Sequence, residues 1–268
     1  MDIIQFLQYS FIQKAFVAGS FVAITCSCLG LFLVLRKMSL IGDGLSHVSF
    51  GAIALGLFFG VYPFYVAVPL VILASLLILK ISEKARIYGD AAIGIVSAVG
   101  IAGGVILASL SNGFNVDLFS YLFGNILAIS TTEAILSMIL SAIVLLAIYF
   151  FYWDLFSATF DEEYAKTTGI KTNFINSFLT VLTAIVVVLS VKVAGIMLVS
   201  ALLILPAVTA LQVSHKFKTA LFLGALFSFV SVVAGIILSF IFDLPTGATI
   251  VMLNALFFAL AYVWKKIS

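Results

Sequence analysis

An aspartate and a histidine lie four residues apart in the otherwise apolar or small-residue segment GDGLSHVSFGAIALG (42–56). Residues at this spacing share one face of a helix, one turn apart. A carboxylate oxygen and an imidazole nitrogen placed in this way can both bind Zn²⁺, Mn²⁺ or Fe²⁺. Asp43 and His47 are therefore the candidate metal ligands. The alternative is that Asp43 caps the helix and His47 bonds to a neighbouring carbonyl group.

The composition indicates an integral membrane protein. The chain has 268 residues, of which 64% are hydrophobic and 9% charged, with a mean hydropathy of +1.33. Soluble domains are about half apolar and about one quarter charged, so a soluble globule is excluded. We expect an all-α transmembrane bundle forming a single domain over residues 1–268. Ionisable groups inside such a bundle are costly, which makes them functional candidates.

Apolar runs of about 20 residues, the length that crosses a bilayer, predict the number of spans. Nine are expected, with eight or ten as alternatives. The segment 111–132 is too interrupted by polar residues and glycine for a span and is expected to be a re-entrant or surface helix. The nine expected spans cover residues 13–35, 40–58, 62–80, 91–111, 135–153, 173–190, 194–212, 219–241 and 246–264.

The basic residues predict the orientation. If the loops alternate between the two sides, eleven lysines and arginines fall on one side and only Lys14 and Lys192 on the other. Because cytoplasmic loops are enriched in Lys and Arg, the C-terminus is expected in the cytoplasm and the N-terminus outside. The eleven are Arg36, Lys37, Lys80, Lys84, Arg86, Lys166, Lys171, Lys216, Lys218, Lys265 and Lys266.

The longest polar stretch, FSATFDEEYAKTTGIKTN (156–173), falls on the cytoplasmic side and predicts a short capped helix. Thr159 or Asp161 would be the N-cap, and Glu162 would lie in the first turn, where acidic groups are favourable. Gly169 has the position of a C-terminal stop. Such an isolated helix is either a docking element for a partner or a solvated loop with local capping.

Signatures of an enzyme are missing from the sequence. It contains no G-x-x-x-x-G-K-[ST], H-E-x-x-H or G-x-S-x-G motif, so energy from ATP would have to come from a partner. The net charge of +2 does not favour nucleic acid. A secondary transporter, with Asp43 as the proton or ion carrier, is an alternative. An intramembrane metalloenzyme would need a third ligand and a general base, and the sequence offers no obvious pair.

Four segments in this order carry a family resemblance: LVLRKMSLIGDGLSHVSFGAIALG (33–56), DLFSYLFGNILAIS (117–130), FDEEYAKTTGI (160–170) and VKVAGIMLVSALLILPAVTAL (191–211). The first has the family form of a basic pair, an aspartate, a short spacer, a serine or alanine, and a histidine. The chain resembles the membrane permease subunits of bacterial ABC importers for zinc, manganese and iron. Together the segments are specific, although each alone would be a weak signal.

The resemblance implies two copies of this chain forming a pathway in the bacterial inner membrane, two copies of a separate ATP-binding subunit, and an extracytoplasmic metal-binding protein. It implies that Asp43 and His47 lie in the metal pathway. No cofactor is expected to be bound permanently, since the metal is the cargo. The segment FDEEYAKTTGI resembles the coupling helix of the family. The residues expected to couple to the ATP-binding subunit are Asp161, Glu162, Glu163, Ala165 and Gly169.

The residues after the histidine bear on which metal is transported. Manganese and iron members of the family typically follow the histidine with a Leu-Pro-Gly type sequence. Here Ser49, Phe50 and Gly51 occupy that region, without proline. This resembles the zinc branch, so Zn²⁺ is the expected cargo and Mn²⁺ or Fe²⁺ the alternative. One histidine and one aspartate suit all three ions.

Overall fold

The computed structural model describes residues 9–85, 89–110, 124, 129–196 and 199–267. These ranges contain eleven helices and no strand, which confirms the all-α prediction. The expected re-entrant or surface helix at 111–132 lies mostly outside the described residues. The helices are α1 Ser10–Leu35, α2 Ile41–Phe58, α3 Pro63–Ala85, α4 Gly89–Leu110, α5 Thr131–Phe150, α6 Tyr152–Phe160, α7 Glu162–Thr167, α8 Thr172–Ala194, α9 Val199–Val213, α10 Phe217–Phe242 and α11 Thr246–Ile267.

Nine of these helices correspond to the nine predicted spans, and their ends agree within five residues. Eight of them are long and apolar enough to cross a membrane. The exception is α9, with 15 residues. Residues 197 and 198, directly before α9, lie outside the described residues. The described part of the predicted span 194–212 is thus the helix Val199–Val213.

Helices α1 and α8 form the interior of the bundle. Their most apolar segments are 72% and 67% buried by the rest of the chain, against 22–33% for α3, α4, α5, α10 and α11. Helix α1 packs against α5, α8, α9 and α10. A helix that is apolar all round is either buried or in contact with lipid. The less buried helices leave apolar surface exposed on the outside of the bundle.

Helix α2 is held against α4 by small residues. A side chain added at Gly100 would place its Cβ 2.7 Å from the backbone Cα of Val48, and one added at Gly51 would collide with the carbonyl oxygen of Gly100. The two backbones can approach this closely only because glycine has no Cβ. This packing fixes the position of α2, which carries Asp43 and His47.

Two glycines of α4 offer a matched test of this crossing. Gly100→Ala should destabilise the protein by about 1–3 kcal/mol, because its methyl group meets backbone rather than a movable side chain. Gly103→Ala should be neutral or stabilising, since nothing lies within 4 Å of its Cβ position and alanine favours helix. Thermal unfolding of the purified protein in detergent measures both. Equal melting temperatures for the two variants would contradict the proposed contact.

Candidate metal site and coupling helix

Asp43 and His47 lie on the same face of α2, as predicted. The Nε2 atom of His47 is 3.6 Å from Oδ2 of Asp43. The Asp43 side chain is 49% exposed and that of His47 26%, so both can still receive a ligand from outside the chain. The pair therefore presents one oxygen and one nitrogen donor toward a common space.

Asp43 is held from a second helix by a serine that the sequence analysis did not single out. The Ser200 hydroxyl, on α9, donates a hydrogen bond of 3.2 Å to Oδ1 of Asp43. The N-cap residue of α2 is Leu40, and that end has no side-chain cap hydrogen bond. The carboxyl group of Asp43 is therefore directed toward α9 and does not cap its own helix.

The helical structure is interrupted close to the contact between Ser200 and Asp43. Helix α8 ends at Ala194, Gly195 follows with φ = 84°, and α9 begins at Val199, one residue before Ser200. A positive φ is readily adopted by glycine but is strained for other residues. Interrupted helices in transporters leave main-chain polar groups free near ion sites. Ser200, in the first turn of the described part of α9, thus lies beside the candidate metal ligands.

Within the described ranges, no group of three or more His, Cys, Asp or Glu side chains is close enough to hold a metal ion. The pair supplies two ligands, while zinc sites commonly have four. Cys26 and Cys28 are buried in α1, where Cys26 Sγ is 3.0 Å from the Ser190 hydroxyl. Among the described residues, Asp43 and His47 therefore offer two of the donor atoms that a metal ion would need.

The short helix predicted in the polar stretch is α7. Asp161 is its N-cap, and Oδ1 of Asp161 accepts a hydrogen bond of 2.8 Å from the backbone N–H of Tyr164. At the other end, Gly169 has φ = 90° and the N–H of Ile170 bonds to the carbonyl of Ala165. This is a Schellman motif with Gly169 at C′, as the sequence predicted.

The side chains of α7 divide into one that faces the bundle and several that face away. Ala165 is fully buried, so it attaches α7 to its own chain. Glu162 and Glu163 are exposed, and Glu162 forms an ion pair of 3.0 Å with Lys166. Tyr164 is also exposed, and the sequence analysis missed it. A partner would thus meet Tyr164 and the two glutamates.

Arg36, immediately after α1, joins the end of α1 to α6 and α8. Its Nε atom donates a hydrogen bond of 3.0 Å to the Thr159 hydroxyl on α6, and its Nη1 donates to Oδ1 of Asn176 on α8. Its Nη2 is buried and has no hydrogen-bond partner among the described residues. Burial lowers the pKa of Arg36, and the nearby charge of Glu162 opposes that shift.

The sequence matches the family described as "ABC 3 transport family" over residues 8–265. It is 37% identical over 261 residues to the manganese transport system membrane protein MntC of Halalkalibacterium halodurans, covering 97% of this chain and 89% of that protein. It is 31% identical over 253 residues to the high-affinity zinc uptake system membrane protein ZnuB of Haemophilus influenzae, covering 94% and 97%.

A solved structure shares this fold. A chain of PsaBC from Streptococcus pneumoniae, determined in complex with Fab, superimposes with a TM-score of 0.88 at 35% sequence identity, covering 97% of this chain and 94% of that chain. The sequence match and this superposition both extend over nearly the whole chain. The protein is a member of the ABC 3 transport family.

Proposed function

We propose that this chain is the permease subunit of an ATP-driven importer that moves a divalent transition-metal ion into the cytoplasm. The observation that carries the proposal is the pair of Asp43 and His47, one turn apart on α2 and open to further ligands. A carboxylate and an imidazole in a membrane bundle are costly unless they bind something. A divalent cation satisfies both. Membership of the family and the names of the relatives support the same proposal.

The names of the relatives favour manganese as the first cargo to test. The described part of the site offers the carboxylate of Asp43, the imidazole of His47 and the hydroxyl of Ser200 beside them. These oxygen and nitrogen donors suit Mn²⁺, Zn²⁺ and Fe²⁺ alike. Three relatives at 34–37% identity are named for manganese transport. Iron and zinc, the latter expected from the sequence after His47, stay the alternatives, because relatives at 35% and 31% identity are named for iron transport and zinc uptake.

The partners proposed for this chain follow from the pair of candidate ligands and from α7. A second copy of the chain, with water, would complete the ligands around the metal. An ATP-binding subunit would dock on the exposed side of α7. An extracytoplasmic binding protein would deliver the ion from the opposite side. The distribution of basic residues supports an orientation with α7 and the C-terminus in the cytoplasm.

Arg36 offers a short path from the docking helix to the metal ligands. It contacts α6 and α8 beside α7, and it precedes Asp43 by seven residues. A guanidinium that donates to two neutral acceptors, with one nitrogen unpartnered, can exchange its partners when α7 moves. A movement of α7 driven by ATP would thereby reach the first turn of α2. Alternating access of this kind is common among transporters.

A secondary transporter using Asp43 as a proton carrier makes a different prediction. Its uptake would continue without ATP and would stop when the proton gradient is dissipated. The capped α7 helix, attached to the bundle by the buried Ala165, favours the ATP-driven mechanism because it provides a docking element.

Removing either ligand should abolish transport without disrupting assembly. In proteoliposomes holding the complete transporter, Asp43→Asn and His47→Ala should each reduce metal uptake by roughly 100-fold or more. The metal needs both donors, and the one that remains cannot replace the one removed. The matched controls are Asp90→Asn, at the exposed start of α4, and His215→Ala, the other histidine. Uptake of Mn²⁺, Zn²⁺ and Fe²⁺ is compared in each. Wild-type uptake by both ligand variants would refute the site.

Disrupting the end of α7 should release the ATP-binding subunit. Gly169→Arg forces a side chain into φ = 90°, at a cost of roughly 1–2 kcal/mol, and adds bulk next to the helix. Glu163→Lys reverses a charge that has no ion pair among the described residues, unlike Glu162. Gly89→Arg is the matched control, because its surroundings are open. Co-purification of the subunit in normal stoichiometry with both α7 variants would count against docking there.

Replacing Arg36 should uncouple ATP hydrolysis from transport. Arg36→Gln removes the charge and shortens the side chain, so it should lower the metal moved per ATP several-fold while the complex stays assembled. Lys37→Gln, at the neighbouring exposed position, should leave the ratio unchanged. Uptake and ATP hydrolysis are measured on the same proteoliposomes. A merely structural role would reduce both rates together and keep the ratio constant.

A further inference from the structure

A groove lined by aromatic rings and one lysine lies where the end of α5, the start of α6 and the start of α10 meet. Its volume is about 460 Å³, and it is open to the surroundings of the protein. We call it the aromatic groove. Its lining residues are Tyr149, Phe150, Tyr152, Trp153, Lys218 and Leu221.

The aromatic groove lies at one end of the helical bundle, where exposed aromatic rings cluster. Phe217, next to Lys218, contacts Phe32 of α1 and Phe156 of α6, which places the groove at the end of the bundle that carries Arg36 and α7. Tyr149 and Phe150 are each 76% exposed, so their rings point away from the protein. Exposed aromatic rings concentrate at the headgroup level of bilayers.

Lys218 supplies a positive charge that forms no ion pair with the described residues. Its Nζ lies 5.2 Å from the centre of the Trp153 ring and 5.8 Å from that of Tyr152. The described residues contain ion pairs at His47–Asp43 and Lys166–Glu162, and Lys218 takes part in neither. The first turn of α10 has no acidic residue, and Lys216 directly precedes it. The two rings hold the ammonium group at the groove.

Tyr152 adds a hydrogen-bond donor to the same groove. The hydroxyl keeps its proton at neutral pH, as tyrosine ordinarily does, and burial raises the pKa of this phenol further. A neutral phenol can donate to an anionic oxygen. The groove therefore combines a cation, a hydroxyl donor and apolar rings.

We propose that the aromatic groove binds the headgroup of an anionic phospholipid, with Lys218 against the lipid phosphate and the exposed rings beside its first methylene groups. Charge complementarity selects this occupant, because the ammonium group of Lys218 is held at the groove and attracts a negative headgroup. The cytoplasmic leaflet carries such headgroups. The assignment to that leaflet rests on the proposed orientation, while the lipid preference does not. One lysine at a membrane surface corresponds to a preference of about fivefold for anionic over zwitterionic lipid.

Trp153 provides a reporter inside the groove. The chain has two tryptophans, Trp153 and Trp264. In Trp264→Phe, all indole fluorescence therefore comes from Trp153 in the groove. The full-length protein is reconstituted with brominated phosphatidylglycerol or brominated phosphatidylcholine, whose bromine atoms quench nearby indole rings. The mole fraction of brominated lipid that gives half-maximal quenching should be about fivefold lower for phosphatidylglycerol than for phosphatidylcholine. Equal quenching by the two lipids would overturn the proposal.

Substitutions of Lys218 test whether this residue causes the preference for phosphatidylglycerol. Lys218→Gln should abolish it, Lys218→Arg should keep it, and Lys265→Gln, near the end of α11, is the matched control and should not change it. A preference that survives in Lys218→Gln would overturn the assignment. The measurement needs no metal transport, so a negative result leaves the proposed function untouched.

Crosslinking in the assembled transporter separates a lipid from a protein occupant. The photoreactive residue p-benzoylphenylalanine replaces Phe150, whose ring is exposed at the groove. An adduct with the mass of a phospholipid is the expected product after irradiation of cell membranes. An adduct with the ATP-binding subunit would show that a protein covers the groove and would overturn the proposal.

Discussion

One constraint governs this structure. A carboxyl group and an imidazole lie in a bundle made almost entirely of apolar side chains, where ionisable groups cost free energy. Such groups are tolerated where they are paired or bind an ion. Here Asp43 and His47 face each other at 3.6 Å, and Ser200 supports the carboxyl group from α9. The glycine crossing between α2 and α4 fixes the backbone that carries the pair. These contacts hold the two ligands in place while leaving them open to a cation.

Much of the fold could be predicted because apolar run length and helix capping are local properties. The nine apolar helices, the Asp161 cap and the Gly169 stop all follow from neighbouring residues. Ser200 was missed because its contact with Asp43 joins residues 157 positions apart. A lone serine in an apolar segment carries no sequence signal.

The region around α7 also has contacts that could not be predicted from the sequence. Its pattern of caps and charges predicted a helix, but only the structure places Ala165 inside and Tyr164 outside. Arg36 entered the sequence analysis as one of many basic residues that define an orientation. Its hydrogen bonds to Thr159 and Asn176 are long-range contacts, more than 120 positions apart in sequence. They join α1, α6 and α8 next to the proposed docking surface.

The central claim is that the His47 imidazole and the Asp43 carboxylate bind the transported ion. Pulsed electron paramagnetic resonance of Mn²⁺ bound to the purified, assembled transporter tests it directly, because a coordinated imidazole couples its nitrogen to the metal electrons. The chain has only two histidines, so the signal can be assigned by substitution. We expect a nitrogen coupling that disappears in His47→Gln and persists in His215→Gln. A coupling that persists in His47→Gln would contradict the account.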